Sequence, residues 1–288
     1  MYELLAAPFV EFDFMRRALF GGIALALGAG PIGVFLMLRG MSLTGDAMAH
    51  AILPGAAIGF LIAGLSLPAM TIGGLTAGVV VAILAGLVTR YTALKEDASL
   101  AAFYLLSLAL GVTIVSLRGS NIDLMHVLFG TVLALDDAAL ILITSIASIT
   151  LAALALLYRP LVMECVDPVF LRSVSRAGGP AHLIFLGLVV LNLVGGFHAL
   201  GTLLAVGLMM LPAAASRFWS PDVTGMILIA TAIGMVSSAG GLLMSYHAAL
   251  PAGPAIILVA GMAYIGSLFF GREGGLIYRL VPGRHLEA

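Results

Sequence analysis

The chain carries an acid and an imidazole four residues apart, Asp46 and His50, inside the otherwise apolar stretch from Met41 to Phe60. On a helix that spacing puts both side chains on one face, one turn apart. Ionisable groups in an apolar span are costly unless they pair, face a water-filled cavity or bind something. A carboxylate with an imidazole is also a ligand set for a divalent transition metal. The pair is therefore read as lining the path of a metal ion, with neutral His50 and ionised Asp46 replacing part of its hydration shell and then letting it go. Two ligands from one chain, or four across a two-fold dimer, hold an ion more weakly than a closed structural site, and weak binding suits conduction. The residues alone leave a plainer alternative open, with Asp46 capping a helix and His50 satisfied by a carbonyl.

Other candidates are weaker. His198 and His247 fall in loops on the outer side in the topology given below, where they could attract a metal ion or simply be solvated. Asp123 and His126 precede a short apolar piece that Asp123 would cap. His182 begins a span and His285 lies in the tail. The methionines lack a repeating Met-x-x-x-Met pattern and read as adaptable core filler. The single cysteine, Cys165, excludes an internal disulfide and a cysteine-based zinc cage. No Gly-x-x-x-x-Gly-Lys-Ser/Thr occurs, so an ATP-driven process would need a separate ATPase. No His-Glu-x-x-His occurs either, which leaves a membrane metalloenzyme built on Asp46 and His50 short of a third ligand and a base.

The elements that must position these residues are membrane spans. Of 288 residues, 62% are hydrophobic and 9% charged, and the mean hydropathy is +1.18. Ordinary globular domains are about 25% charged. Apolar runs of about 18 residues or more, each able to cross roughly 30 Å of hydrocarbon, recur along the chain. The alternating segments of a β-barrel are absent. The fold class is all-α, a polytopic transmembrane bundle of eight or nine spans, and the chain is read as one domain over 1–288. Nine spans are preferred, near 18–38, 45–65, 67–89, 98–117, 138–158, 181–197, 199–216, 222–246 and 252–271. The break at 195–201 could instead lie within one broken helix, and the apolar piece 124–135 is too short to cross. An N-out, C-in topology leaves Arg39, Arg90, Lys95, Arg159, Arg172, Arg176, Arg217, Arg272, Arg279 and Arg284 in the cytoplasm, with Arg16, Arg17 and Arg118 outside. No basic cluster suggests nucleic acid.

Within the spans, Gly55 with Gly59 and Gly74 with Gly78 have helix-packing spacing. Gly30-Pro31 and Pro54 predict kinks. The polar interruption at 159–180 is cytoplasmic. There Asp167-Pro168 can cap and start a short amphipathic helix ending near Gly178-Gly179. That helix either lies on the membrane surface or docks in a groove on a cytoplasmic partner.

The segment Gly45-Asp46-Ala47-Met48-Ala49-His50-Ala51-Ile52-Leu53-Pro54-Gly55 resembles the signature of the ABC-3 family, the permeases of zinc, manganese and iron ABC importers. Lys95-Glu96-Asp97-Ala98-Ser99 is similar to that family's cytoplasmic turn, and Leu128-Phe129-Gly130 to its Leu-Phe-Gly element. Gly201-Thr202-Leu203-Leu204 through Leu211-Pro212-Ala213-Ala214-Ala215 resembles its Pro-Ala-Ala segment. Leu243 to Gly253 is similar to its last outer loop. The resemblance runs from about residue 20 to 270, in order.

What the resemblance implies is a type II importer permease in a bacterial inner membrane. It would work as a pair of permease chains, a homodimer or heterodimer, with two cytoplasmic ABC ATPases and an extracytoplasmic metal-binding protein. Asp46 and His50 would meet Zn2+, Mn2+ or Fe2+ as cargo, with no resident cofactor. Asp167, Pro168, Phe170, Leu171 and Arg172 would form the coupling helix, although Val169, Leu171 and Ser175 stand where the family often has Glu, Ala and Gly. The competing reading is a stand-alone secondary transporter or channel using Asp46 as an ion or proton site.

Overall fold

In a computed structural model, every apolar run among the described residues is helical, as lipid demands of a backbone that must satisfy its own hydrogen bonds. The structure describes residues 6–64, 66–92, 96–117, 132–167, 170 and 178–277. A short α1 (Ala7–Glu11) leads into α2 (Asp13–Leu38), followed by α3 (Thr44–Ala51), α4 (Leu53–Ala63), α5 (Leu67–Tyr91) and α6 (Glu96–Leu117). After a 3-10 turn at Val132–Ala134 come α7 (Asp137–Val166), α8 (Gly178–Leu200), α9 (Thr202–Ser216), α10 (Val223–Ala248) and α11 (Ala252–Phe270). The nine segments expected to span are all helical. Seven are long and apolar enough to cross a membrane, counting α3 and α4 as one, while α6 and α9 are apolar over shorter lengths.

Helix α2 is the axis, with 78% of its apolar window buried. It packs against α7, α8, α9 and α10, and α11 closes that group against α9 and α10. The helices α3 to α6 form a second group that joins the first chiefly through α8. Glycines allow the closest approaches. A Cβ on Gly33 would strike the Met209 carbonyl of α9, and Gly55 and Gly73 face each other's carbonyls across α4 and α5. Gly74 and Gly78 lie against Ile52 and Val190, so both glycine pairs serve packing. Asn192, fully enclosed, donates to Thr150 Oγ1 at 2.7 Å and to the Leu188 carbonyl at 2.9 Å, tying α8 to α7.

Two expectations change. Helix α7 does not stop at 158 but runs through Pro160 to Val166, because Leu161 is buried and Val162 and Cys165 still pack on the core. Gly178-Gly179 lie in α8, with Pro180 beside them, where a missing N–H costs little, and the segment 171–177 before them lies outside the described residues. Helix α2 continues through Gly30-Pro31, from Asp13 to Leu38.

At Gly201 the chain does break. Its φ of 96° is open to glycine alone, and Gly196 meets Ala205 across the turn, so α8 and α9 are separate helices folded back on each other. The expectations for Asp123, His126, Pro168, Leu171, Arg172, His285 and the piece 124–131 lie outside the described residues, as does the side chain of His198.

Candidate metal site

Pro54 shapes the site. Lacking an N–H, it cannot bond to the His50 carbonyl one turn back, and its ring crowds that oxygen. The helix breaks at Ile52, dividing one membrane-length segment into α3 and α4. Both freed carbonyls find other donors. The Ile52 N–H bonds to the His50 carbonyl, and the buried Ser107 hydroxyl of α6 donates to the Ala51 carbonyl at 2.9 Å. Met209 touches Gly45 as well as Gly33, so α3 begins alongside the end of α2, within the bundle.

On this short helix His50 Nε2 stands 3.9 Å from Asp46 Oδ1. That is too far for a hydrogen bond. It is within the roughly 4.2 Å that two metal–ligand bonds of about 2.1 Å can bridge. His50 Nδ1 is buried without a partner, so neither ring nitrogen is committed to a hydrogen bond among the described residues. The Tyr104 ring, 6.1 Å away by centroid, flanks the imidazole. The Asp46 side chain is 65% exposed and His50 26%, so the pair opens on the surface of the single chain. A bare carboxylate facing lipid there would be expensive, and that surface must meet protein or water. No group of three or more His, Cys, Asp or Glu converges elsewhere among the described residues. One chain therefore offers two ligands.

The structure brings Asp46 and His50 together and does not bring His247 to them. His247 sits in the last turn of α10, exposed, its ring 5.2 Å from that of Tyr246 at the end where Tyr246 also meets Phe12. Helix α7 starts at the same end, where Asp136 caps it by accepting from the Ala139 N–H and Arg17 pairs with Asp137 at 3.1 Å. At the other end, Asp167 Oδ1 accepts the Phe170 N–H at 2.8 Å. That i to i+3 bond is the kind an N-cap aspartate makes. Phe170 is exposed.

Sequence reasoning missed a buried ionic cluster at this second end. Arg39 at the close of α2 donates to Glu164 Oε1 of α7 at 2.6 Å and lies 2.5 Å from His182 Nδ1 of α8. A guanidinium has no lone pair, so Nδ1 accepts and the imidazole carries its proton on Nε2. Residues 125 and 143 positions apart in the chain give no local spacing signal.

The model of the ABC 3 transport family matches residues 11–271. The chain is 32% identical over 259 residues to the manganese import system permease protein ScaB of Streptococcus parasanguinis, covering 90% of this chain and 91% of that one. It is also 32% identical over 269 residues to the manganese transport system membrane protein MntC of Listeria monocytogenes, covering 93% and 95%. Identity to the chelated iron transport system membrane protein YfeD of Yersinia pestis is 27% over 270 residues, covering 94% and 89%. Among solved structures it superposes on PsaBC from Streptococcus pneumoniae, solved in complex with Fab, with TM-score 0.85 and 27% identity over 98% of this chain and 100% of that one. By its helices, their order and its sequence, this chain belongs to the ABC-3 transport family.

Proposed function

We propose that this chain is the multi-pass permease subunit of an ABC importer that moves a divalent transition metal across the bacterial cytoplasmic membrane, with Asp46 and His50 contacting the ion in transit. The observation that carries the site is the pair itself. An imidazole without a hydrogen bond among the described residues and a carboxylate stand one ion apart, at a helix break, on a surface lipid could not cover cheaply. Broken helices with freed backbone groups are a recurring way to build a substrate site inside a membrane. Mn2+ is the first cargo to test, because several relatives are named for manganese and one nitrogen with one carboxylate oxygen suits it. Zn2+ and Fe2+ accept the same donors.

A second permease chain would face the first across the Asp46 surface, most simply as a homodimer. An extracytoplasmic binding protein would deliver the ion near His198 and His247. A cytoplasmic ATPase would engage the segment holding Asp167, Pro168, Phe170, Leu171 and Arg172. The whole chain then acts as one permease domain with no resident cofactor.

The test is uptake of Mn2+, Zn2+ and Fe2+, ion by ion, in cells carrying wild type, Asp46→Ala or His50→Ala, with membrane abundance measured in parallel. Each variant should lose at least about 10-fold in uptake of the true cargo, as expected when a metal contact is deleted. Normal uptake by both variants at normal abundance would remove the site. Purification of the permease without an ATPase would favour a stand-alone carrier.

A further inference from the structure

Arg39, Glu164 and His182 join three helix ends that the proposed function leaves without a role. The Arg39 and Glu164 side chains are each 9% exposed. The guanidinium lies over the Phe185 ring at 5.0 Å, and Phe185 in turn packs edge-on against Phe35. Arg39 suits the C-terminal end of α2, where a cation meets the helix dipole favourably, but Glu164 in the last turn of α7 opposes it. An acid that is buried and also set against a helix dipole persists only with a strong partner. The match is incomplete, because Arg39 Nη1 and Glu164 Oε2 are both buried without hydrogen bonds among the described residues.

The cluster's place in the chain gives it a use. Glu164 lies just before Asp167, where α7 hands over to the coupling segment. His182 lies in the first turns of α8, where that segment returns. Arg39 ends α2, and the loop 40–43 then leads directly into α3 with Asp46 and His50.

Resting on the function proposed above, we infer that Arg39, Glu164 and His182 are positioning residues. They clasp both flanks of the ATPase-facing segment to the helix end that feeds the metal site, so that a displacement of that segment moves α3. The partly satisfied charges suit a joint with a second arrangement, since each charge has an unused donor or acceptor for another partner. The aromatic floor of Phe35 and Phe185 keeps water from substituting for the clasp.

The experiment measures Mn2+ imported per ATP hydrolysed by the full importer in proteoliposomes, together with its melting temperature. Single deletions would strand a buried charge, so the informative variant is Arg39→Met with Glu164→Met. Replacing a buried ion pair by apolar side chains commonly leaves stability intact. The double variant should melt near wild type and keep hydrolysing ATP while moving at least about 5-fold less Mn2+ per ATP, the lower end of coupling factors between linked sites. Arg39→Lys should also fall, because a compact, strongly hydrated ammonium gives up the planar stacking on Phe185 that holds Nη2 between Glu164 and His182.

A wild-type ratio in the double variant overturns the inference. If the double variant does not assemble, a wild-type ratio in Arg39→Lys does the same. Failure of both to assemble assigns the cluster a folding role only and likewise overturns it. Absence of ATP-driven uptake of Mn2+, Zn2+ or Fe2+ by the wild-type importer would instead defeat the function on which the inference rests.

Discussion

Buried polar atoms without partners are few in folded proteins, and each calls for a reason. Of the five side-chain atoms of this kind among the described residues, four are Thr44 Oγ1, His50 Nδ1, Arg39 Nη1 and Glu164 Oε2. Two stand on the helix of the proposed metal site and two on the proposed clasp. The packing around them is less forgiving. Gly33→Ala would drive a methyl into the Met209 backbone, whereas Gly86 has nothing within 4 Å of a Cβ. The first substitution should cost about 1–3 kcal/mol through overpacking. The second should be neutral or gain up to about 1 kcal/mol from helix propensity. Thermal unfolding of the two purified variants compares them directly, and equal melting temperatures would contradict the α2–α9 contact. Asp46 and His50 were legible in the sequence because one helical turn joins them and the surrounding run is apolar. Arg39, Glu164 and His182 were not, because tertiary folding alone makes them neighbours.

At the scale of elements, two prolines with the same local rule had different outcomes. Pro31 sits inside a continuous α2 amid close neighbours, with Gly30 against Thr231 and Gly33 against Met209. Near Pro54 the Ser107 hydroxyl donates to the freed Ala51 carbonyl, and the helix breaks. Sequence marks both positions, and only packing decides which yields. Pro54→Ala should restore the hydrogen bond to the His50 carbonyl and straighten α3 into α4. Thermal stability should rise while metal uptake falls several-fold, because the break aims His50. Unchanged uptake in a stabilised variant would show that the break is incidental.

Helix α10 offers a pH test outside the membrane. Asp222 caps it by accepting the Gly225 N–H at 2.6 Å and the Ser220 hydroxyl at 2.8 Å. These bonds, the backbone one first, hold its carboxyl below the usual carboxylate value. A depressed folded value means the cap's contribution is complete above the unfolded value of about 3.9 and is lost as pH falls through the folded one. Hydrogen exchange of the amides at 223–226 should therefore show the same protection between about pH 5 and 8, with fraying in stronger acid. Asp222→Ala should fray that turn at any pH.

For the whole molecule, the unresolved economy is the exposed face of the metal site. The apolar spans were legible from composition and run length, and nine segments are helical where they were expected. A face that would meet a second chain was not legible, because apolar residues cover lipid-facing and protein-facing surfaces alike. Asp46 discriminates between those surfaces. Its carboxylate is 65% exposed on one chain, and hydrocarbon would penalise it there. A two-fold interface over this surface would bring two Asp46–His50 pairs to one pathway and raise the ligand count from two to four. Cys165 is the only cysteine, so Asp46→Cys in a Cys165→Ser background places one thiol per chain. A short bis-maleimide should then alkylate both thiols and link two permease chains in native membranes, giving a band at twice the chain mass. The Cys165→Ser control should give none. Absence of the linked species, both with and without ATP, would place the partner on another face. Asp46 would then line a path within a single chain, where no third ligand among the described residues supports it.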